Sequence, residues 1–174
     1  MSGMREQYNN TANANGAAAG LRSFPLLGKL SDEELSLLMS ILQEVIFAEG
    51  EEILKEGEEG DRMYLLTEGS VDVLKTTPYG ESYVTAALQD SDHCSFGEMA
   101  LIDKGKRSAT VRAKTDCRTL SIRYDDFQRF CREYPKIGLE LLMSVSLTLV
   151  RNLRRENENL RLVYQALIEE IENE

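Results

Sequence analysis

The chain has 174 residues, 42% of them hydrophobic, enough for a single domain with a buried core. A formal net charge of −10 argues against sequence-independent nucleic-acid binding, whose affinity rests on Lys and Arg neutralising phosphates. No apolar run reaches the length of a membrane span, and three irregularly spaced cysteines, Cys94, Cys117 and Cys131, argue against a disulfide framework and for a reducing, cytoplasmic compartment.

Residues 1–20 are polar and rich in Ala and Asn, without the basic and apolar regions of a secretory signal, and read as a disordered tail. Pro25 marks a turn. Ser31 and Glu34 form a capping-box pair ahead of Leu35, Leu38, Ile41, Leu42 and Val45 at helical spacing, which predicts an N-terminal helix. From about Glu44 to Arg123 the period shortens to that of strands, over Val45 to Ala48, Met63 to Thr67, Val71 to Lys75, Tyr83 to Leu88, Ala109 to Ala113 and Thr119 to Arg123. Gly57, Gly60, Gly69, Gly80 and Gly105 punctuate them. Many short strands with glycine turns predict a small β-roll or jelly roll.

Asp125 to Tyr134 reads as a short helix broken near Pro135. From Leu139 onward Leu142, Leu149, Leu153, Leu160, Val163 and Leu167 fall on three- and four-residue steps or their sums, with Ser146 and Glu156 as the polar exceptions. This predicts a long helix that forms a two-stranded coiled coil. A helix covering only its own roll would account for the first half but leave Leu160, Val163 and Leu167 without a partner. The acidic end, Glu169, Glu170, Glu172 and Glu174, reads as a solvated terminus.

The stretch Phe96 to Val111, FGEMALIDKGKRSATV, sets one carboxylate and one guanidinium nine positions apart around glycines. Gly97 leaves room for a ligand to approach the backbone, and the N–H groups that follow are placed to donate to a phosphate oxygen. Glu98, acceptor-only when ionised, suits a sugar hydroxyl, whereas the planar fork of Arg107 matches phosphate, with the Ser108 hydroxyl beside it. One guanidinium for one negative charge suggests a cyclic phosphodiester. Two plainer readings stand beside this one. Glu98 and Arg107 could form a surface salt bridge worth about 0–1 kcal/mol, or Arg107 could be one solvated charge among Lys104 and Lys106. Neither explains the flanking glycine and serine.

FGE, then AL, then RSATV after a short loop resembles the phosphate-binding cassette of cyclic nucleotide-binding domains, found in catabolite-activator-type regulators, protein kinase A regulatory subunits and cyclic-nucleotide-gated channels. Upstream, Gly57, Gly60, Asp61 and Tyr64, followed by Gly69, Val71 and Val73, resemble the roll signature of that family. The resemblance runs from about Leu21 to the end of the chain. It implies a mainly β fold with flanking helices, a double-stranded β-helix with an N-terminal helix and a long C-terminal one. The implied divisions are 21–135 for the roll and 136–174 for a dimerisation helix. In that family the carboxylate holds the ribose 2′-hydroxyl and the arginine the cyclic phosphate, so Phe96, Gly97, Glu98, Met99, Ala100, Arg107, Ser108 and Ala109 are the implied ligand residues. The resemblance further implies a cyclic nucleotide-binding regulatory protein in signal transduction, a homodimer that answers to an unknown effector. No cofactor beyond the ligand is implied. The sequence ends on the long helix where related transcription factors continue into a helix-turn-helix, so sensing is expected here and direct nucleic-acid contact is not.

The same resemblance brings the long helix over the base near Glu156 and Asn157. A carboxylate there could pair with the N1–H and amino group of guanine, or accept from the adenine amino group alone. That leans towards cyclic GMP, as does Ser108. Alternatively the two residues are solvated or set a coiled-coil register, and cyclic AMP stays the default on the breadth of the family. The lead-in Asp92, His93, Cys94, Ser95 departs from the family's usual glycine and acidic residue, so the approach to the pocket is expected to differ.

An enzyme is not indicated: His93 is the single histidine, and no nucleophile with a base partner or Walker loop occurs. A haem reading through His93 or Cys94 would leave FGE and RSATV without a role. The competing class is a degenerate, ligand-free fold serving as a dimerisation scaffold.

Overall fold

The computed structural model describes residues 20–172, so the tail read over residues 1–20 lies, but for Gly20, outside the described residues. After helix α1 (Asp32–Leu38) the strands are β1 (Gln43–Phe47), β2 (Glu52–Leu54), β3 (Arg62–Glu68), β4 (Ser70–Thr76), β5 (Ser82–Gln89), β6 (Ser95–Phe96), β7 (Thr110–Ala113) and β8 (Cys117–Arg123). Helices α2 (Tyr124–Glu133) and α3 (Pro135–Glu172) follow. The strands form two four-stranded antiparallel sheets, ordered β1-β8-β3-β6 and β2-β7-β4-β5. This is the β-roll with N-terminal and long C-terminal helices that the sequence predicts.

Strand β3 organises the interior, because both its faces are covered. Successive side chains of a strand point to opposite faces. Tyr64 and Leu66 enter the core between the sheets with Val45, Phe47, Val71, Phe96 and Val111, while Met63 and Leu65 enter a second core with the helices. That second core gathers Leu27, Leu35 and Leu38 from the N-terminal segment, Leu101, Phe127 and Phe130 beyond the roll, and Ile137, Leu141 and Val145 of α3. In β8 the inward polar groups find backbone partners: the Thr119 hydroxyl donates to the Val45 carbonyl at 2.9 Å and the Ser121 hydroxyl to that of Gln43 at 3.2 Å.

The capping box forms as expected, with Glu34 N–H donating to Ser31 Oγ at 3.2 Å and Ser31 N–H to Glu34 Oε2 at 2.9 Å. Helix α1 is shorter than the spacing predicted. It ends at Leu38, a single 3₁₀ turn carries Met39–Ile41, and Val45 pairs with Thr119 in the sheet. Strands β2 and β6 were not predicted, being three and two residues long, too short to show a period.

Helix α3 starts on Pro135, whose fixed φ suits a first helical turn, one residue before the expected boundary. Its predicted seam needs correction. Leu142 and Leu149 are half-buried against the helical core, so they cover the chain's own roll, whereas Leu139, Met143, Val150 and Leu153 are exposed. Among the described residues no helix is long and apolar enough to cross a membrane.

α3 approaches α2 closely at Gly138, where an added Cβ would lie 2.9 Å from the Cα of Cys131. Gly→Ala normally stabilises a helix by about 1 kcal/mol. Here overpacking, which costs roughly 1–3 kcal/mol, is expected to reverse the sign. Gly138→Ala should lower the urea midpoint, and a raised midpoint would show that the two helices are not in close contact.

Candidate functional site

Strand β6 ends at Phe96, Gly97 turns the chain with φ +75°, and a 3₁₀ turn follows over Glu98–Leu101. The positive φ excludes most side chains, and a Cβ would stand 2.8 Å from Arg107 Nη1 and 3.2 Å from the Arg62 carbonyl oxygen. Ala100 and Leu101 are buried and anchor the turn. Met99 is exposed.

Glu98 is 8% exposed, unusual for a carboxylate. Asn152 of α3 donates from Nδ2 to its Oε1 at 3.1 Å. Burial pushes the Glu98 carboxyl above its ordinary range, while its own N–H and the Asn152 amide pull it back down.

Arg107 reaches the other side of Gly97. Its Nη2 donates to the Arg62 carbonyl at 2.7 Å and its Nη1 to the Gly97 carbonyl at 3.3 Å. Burial lowers its pKa, yet a guanidinium stays charged at neutral pH. Backbone hydrogen bonds hold it in place, from Arg107 N–H to the Glu58 carbonyl at 2.8 Å, from Gly57 N–H to the Arg107 carbonyl at 2.9 Å and from Gly60 N–H to the Gly105 carbonyl at 3.1 Å. Gly60 leaves the side chain its slot, since a Cβ would fall 2.4 Å from Arg107 Cζ. The two sequence motifs, Gly57 to Tyr64 and Phe96 to Val111, thus meet across one set of backbone hydrogen bonds.

Glu98 and Arg107 are each engaged elsewhere and do not form the surface salt bridge that stood as an alternative. Phe96 is buried in the inter-sheet core, stacked on Tyr64 with ring centroids 5.5 Å apart. Ser108 is exposed and Ala109 half-buried. Glu156 and Asn157 are exposed on α3, with Glu156 4.0 Å from Arg155. The structure does not bring these two to the cassette; Asn152, one turn before Glu156, makes that contact. Sequence reading missed it, although a signal existed: Leu141, Val145, Thr148 and Asn152 form one stripe at four- and three-residue steps. Beyond Val150, Asn152 is the one described residue of α3 that is not exposed. In the lead-in His93 adopts φ +46° and packs edge-on against Phe24, with ring centroids 5.7 Å apart.

Residues 44–134, just over half of the chain, match the family profile described as the cyclic nucleotide-binding domain. The chain belongs to the cyclic nucleotide-binding domain family. It is 32% identical over 126 residues to a CRP-like cAMP-activated global transcriptional regulator of Mycobacterium tuberculosis, covering 72% of this chain and 54% of the regulator. A cAMP-dependent protein kinase regulatory subunit of Yarrowia lipolytica is 38% identical over 109 residues, 63% of this chain and 28% of the subunit. Among solved structures, a cyclic nucleotide-binding domain from Methylobacillus flagellatus superposes with a TM-score of 0.73 at 25% identity, covering 84% of this chain and 81% of that one. The chain thus spans about half the length of the mycobacterial relative and less of the kinase subunit. Glu98 and Arg107 lie inside the residues matched by the cyclic nucleotide-binding profile, and Asn152 lies outside them.

Because its carboxyl is raised by burial, ionised Glu98 disfavours folding at neutral pH, and this cost disappears as the group protonates on acidification. Glu98→Gln is therefore expected to melt above wild type at pH 7, the difference closing as pH falls through the Glu98 titration. A difference that is constant with pH, or of opposite sign, contradicts the buried carboxylate.

Proposed function

We propose that this chain is a cyclic nucleotide sensor of the cytoplasm, regulatory and not catalytic, whose ligand is cyclic AMP and whose output passes through the long helix. One observation carries the reading. A buried carboxylate and a guanidinium whose hydrogen bonds among the described residues go to backbone carbonyls border the same Gly97 turn. Those carbonyls are neutral acceptors, and an anionic phosphate oxygen replaces one of them with a stronger, charge-assisted bond. Glu98 would accept from the ribose 2′-hydroxyl through Oε2, which has no side-chain partner among the described residues. Arg107, Ser108 and the backbone at Met99 and Ala100 would take the cyclic phosphate, with Phe96, Gly97 and Ala109 shaping the wall. The names of the mycobacterial and yeast relatives favour cyclic AMP over cyclic GMP. Glu156 lies one turn beyond Asn152, and as the base-reading residue it would favour cyclic GMP.

Calorimetric titration of nucleotide-stripped protein with both ligands tests this. Micromolar or tighter binding of cyclic AMP is expected, with a loss of about tenfold or more in Arg107→Ala, since hydrogen bonds to charged groups are worth about 1.5–3 kcal/mol. Binding of neither nucleotide by folded protein would instead support the ligand-free scaffold.

We propose further that the protein is a homodimer through α3. With Leu142 and Leu149 used by the roll, the outward positions Leu139, Met143, Ser146, Val150, Leu153, Asn157, Leu160, Tyr164, Leu167 and Ile171 alternate four- and three-residue steps without interruption. The apolar members are each more than two-fifths exposed. One set reads Met143, Val150, Asn157, Tyr164 and Ile171, and the other is mostly leucine, a pattern that favours two strands, with the asparagine fixing register. Replacing Leu153 and Leu160 together with lysine is expected to give a monomer in sedimentation velocity. An unchanged dimer would place the interface elsewhere.

A further inference from the structure

We infer that Asn152 is a positioning residue for the Glu98 carboxylate, holding one oxygen so that the other is aimed at the ligand's sugar hydroxyl. This rests on the cyclic nucleotide reading proposed above and adds a residue from outside the family-matched segment.

A glutamate side chain has three rotatable bonds, so a buried carboxylate needs fixed donors to set its plane. Besides its own N–H, the Glu98 carboxylate receives one hydrogen bond among the described residues, from Asn152 Nδ2, 54 positions away in sequence, and this is the contact that ties it to the long helix. A carboxylate can accept only, so the amide must present its N–H, which fixes the orientation of Asn152 as well. The helix that carries Asn152 is itself seated by Leu141 and Val145, both at most 2% exposed, and starts at the rigid Pro135. The roll therefore carries the ribose acceptor, and the long helix decides where that acceptor points. Coupling of this kind is reciprocal: a ligand that tightens on Glu98 also favours the docked position of α3.

The test pairs a variant with a ligand analogue. Calorimetry compares wild type, Asn152→Ala and Asn152→Asp against cyclic AMP and 2′-deoxy cyclic AMP, with folding checked by thermal melts. If Asn152 acts through Glu98 on the sugar hydroxyl, Asn152→Ala weakens cyclic AMP by about tenfold, the size of one charged hydrogen bond, and the deoxy analogue by less than about twofold. Asn152→Asp, which sets a second carboxylate against Glu98, should lose at least as much, again only with the hydroxyl present. Equal losses for both nucleotides would assign Asn152 a structural or base-contacting role and overturn the inference, as would no loss for either. Failure of wild type to bind cyclic AMP is a separate result and overturns the sensor reading on which the inference rests.

Discussion

A carboxylate removed from water at the junction of roll and helix is the constraint on which the rest of this structure turns. Charged side chains are rarely buried without compensation, because desolvation of the ionised form is costly. Glu98 receives that compensation from its own N–H and from a residue of a different element, so its hydrogen bonding is incomplete unless α3 lies against the roll. Arg107 meets the same constraint differently. Its guanidinium is satisfied by two backbone carbonyls of β3 and the Gly97 turn, neutral partners that a bound phosphate would outcompete. One charged group is thus held by the helix and the other by the roll.

The connection between the two parts is continuous. β3 presents alternate side chains to both cores, so a displacement at the Gly97 turn would reach the helical side through Met63, Leu65 and Leu101. At the start of α2, Tyr124 N–H donates to the Asp61 carbonyl at 2.7 Å, and Lys104, just past the cassette turn, reaches Asp125 at 2.8 Å and sits 4.5 Å from the Tyr124 ring centroid. Both side chains are largely exposed, so this ion pair stabilises little. α2 then meets α3 at the Gly138 contact. A ligand gathered by Glu98 and Arg107 would bias the angle of α3 through packed elements that are already in contact.

Much of this is legible in the order of the residues alone. Strands β1, β7 and β8 show themselves because one face is buried and the pattern alternates, β3 because covering on both faces makes it a continuous apolar run, and the capping box announces α1 through two side chains. Glu98, Arg107 and the turn between them are legible as candidates because a sugar phosphate would need those groups near a glycine. The helix is harder to read. It carries two apolar stripes one residue out of phase, one through Leu142 and Leu149 and one through Met143 and Val150, and periodicity cannot say which faces the chain's own roll. Asn152 escapes for a related reason: a polar residue on a charged helix reads as solvated until the fold places a buried carboxylate beside it.

The central claim, that one pocket is shared between roll and helix, is tested most directly by amide hydrogen exchange along α3 with and without cyclic AMP. The account predicts that added nucleotide slows exchange in the turns around Val145 to Glu156 and in the Gly97 turn together. Protection confined to the roll, with α3 exchanging as in the free protein, would contradict it.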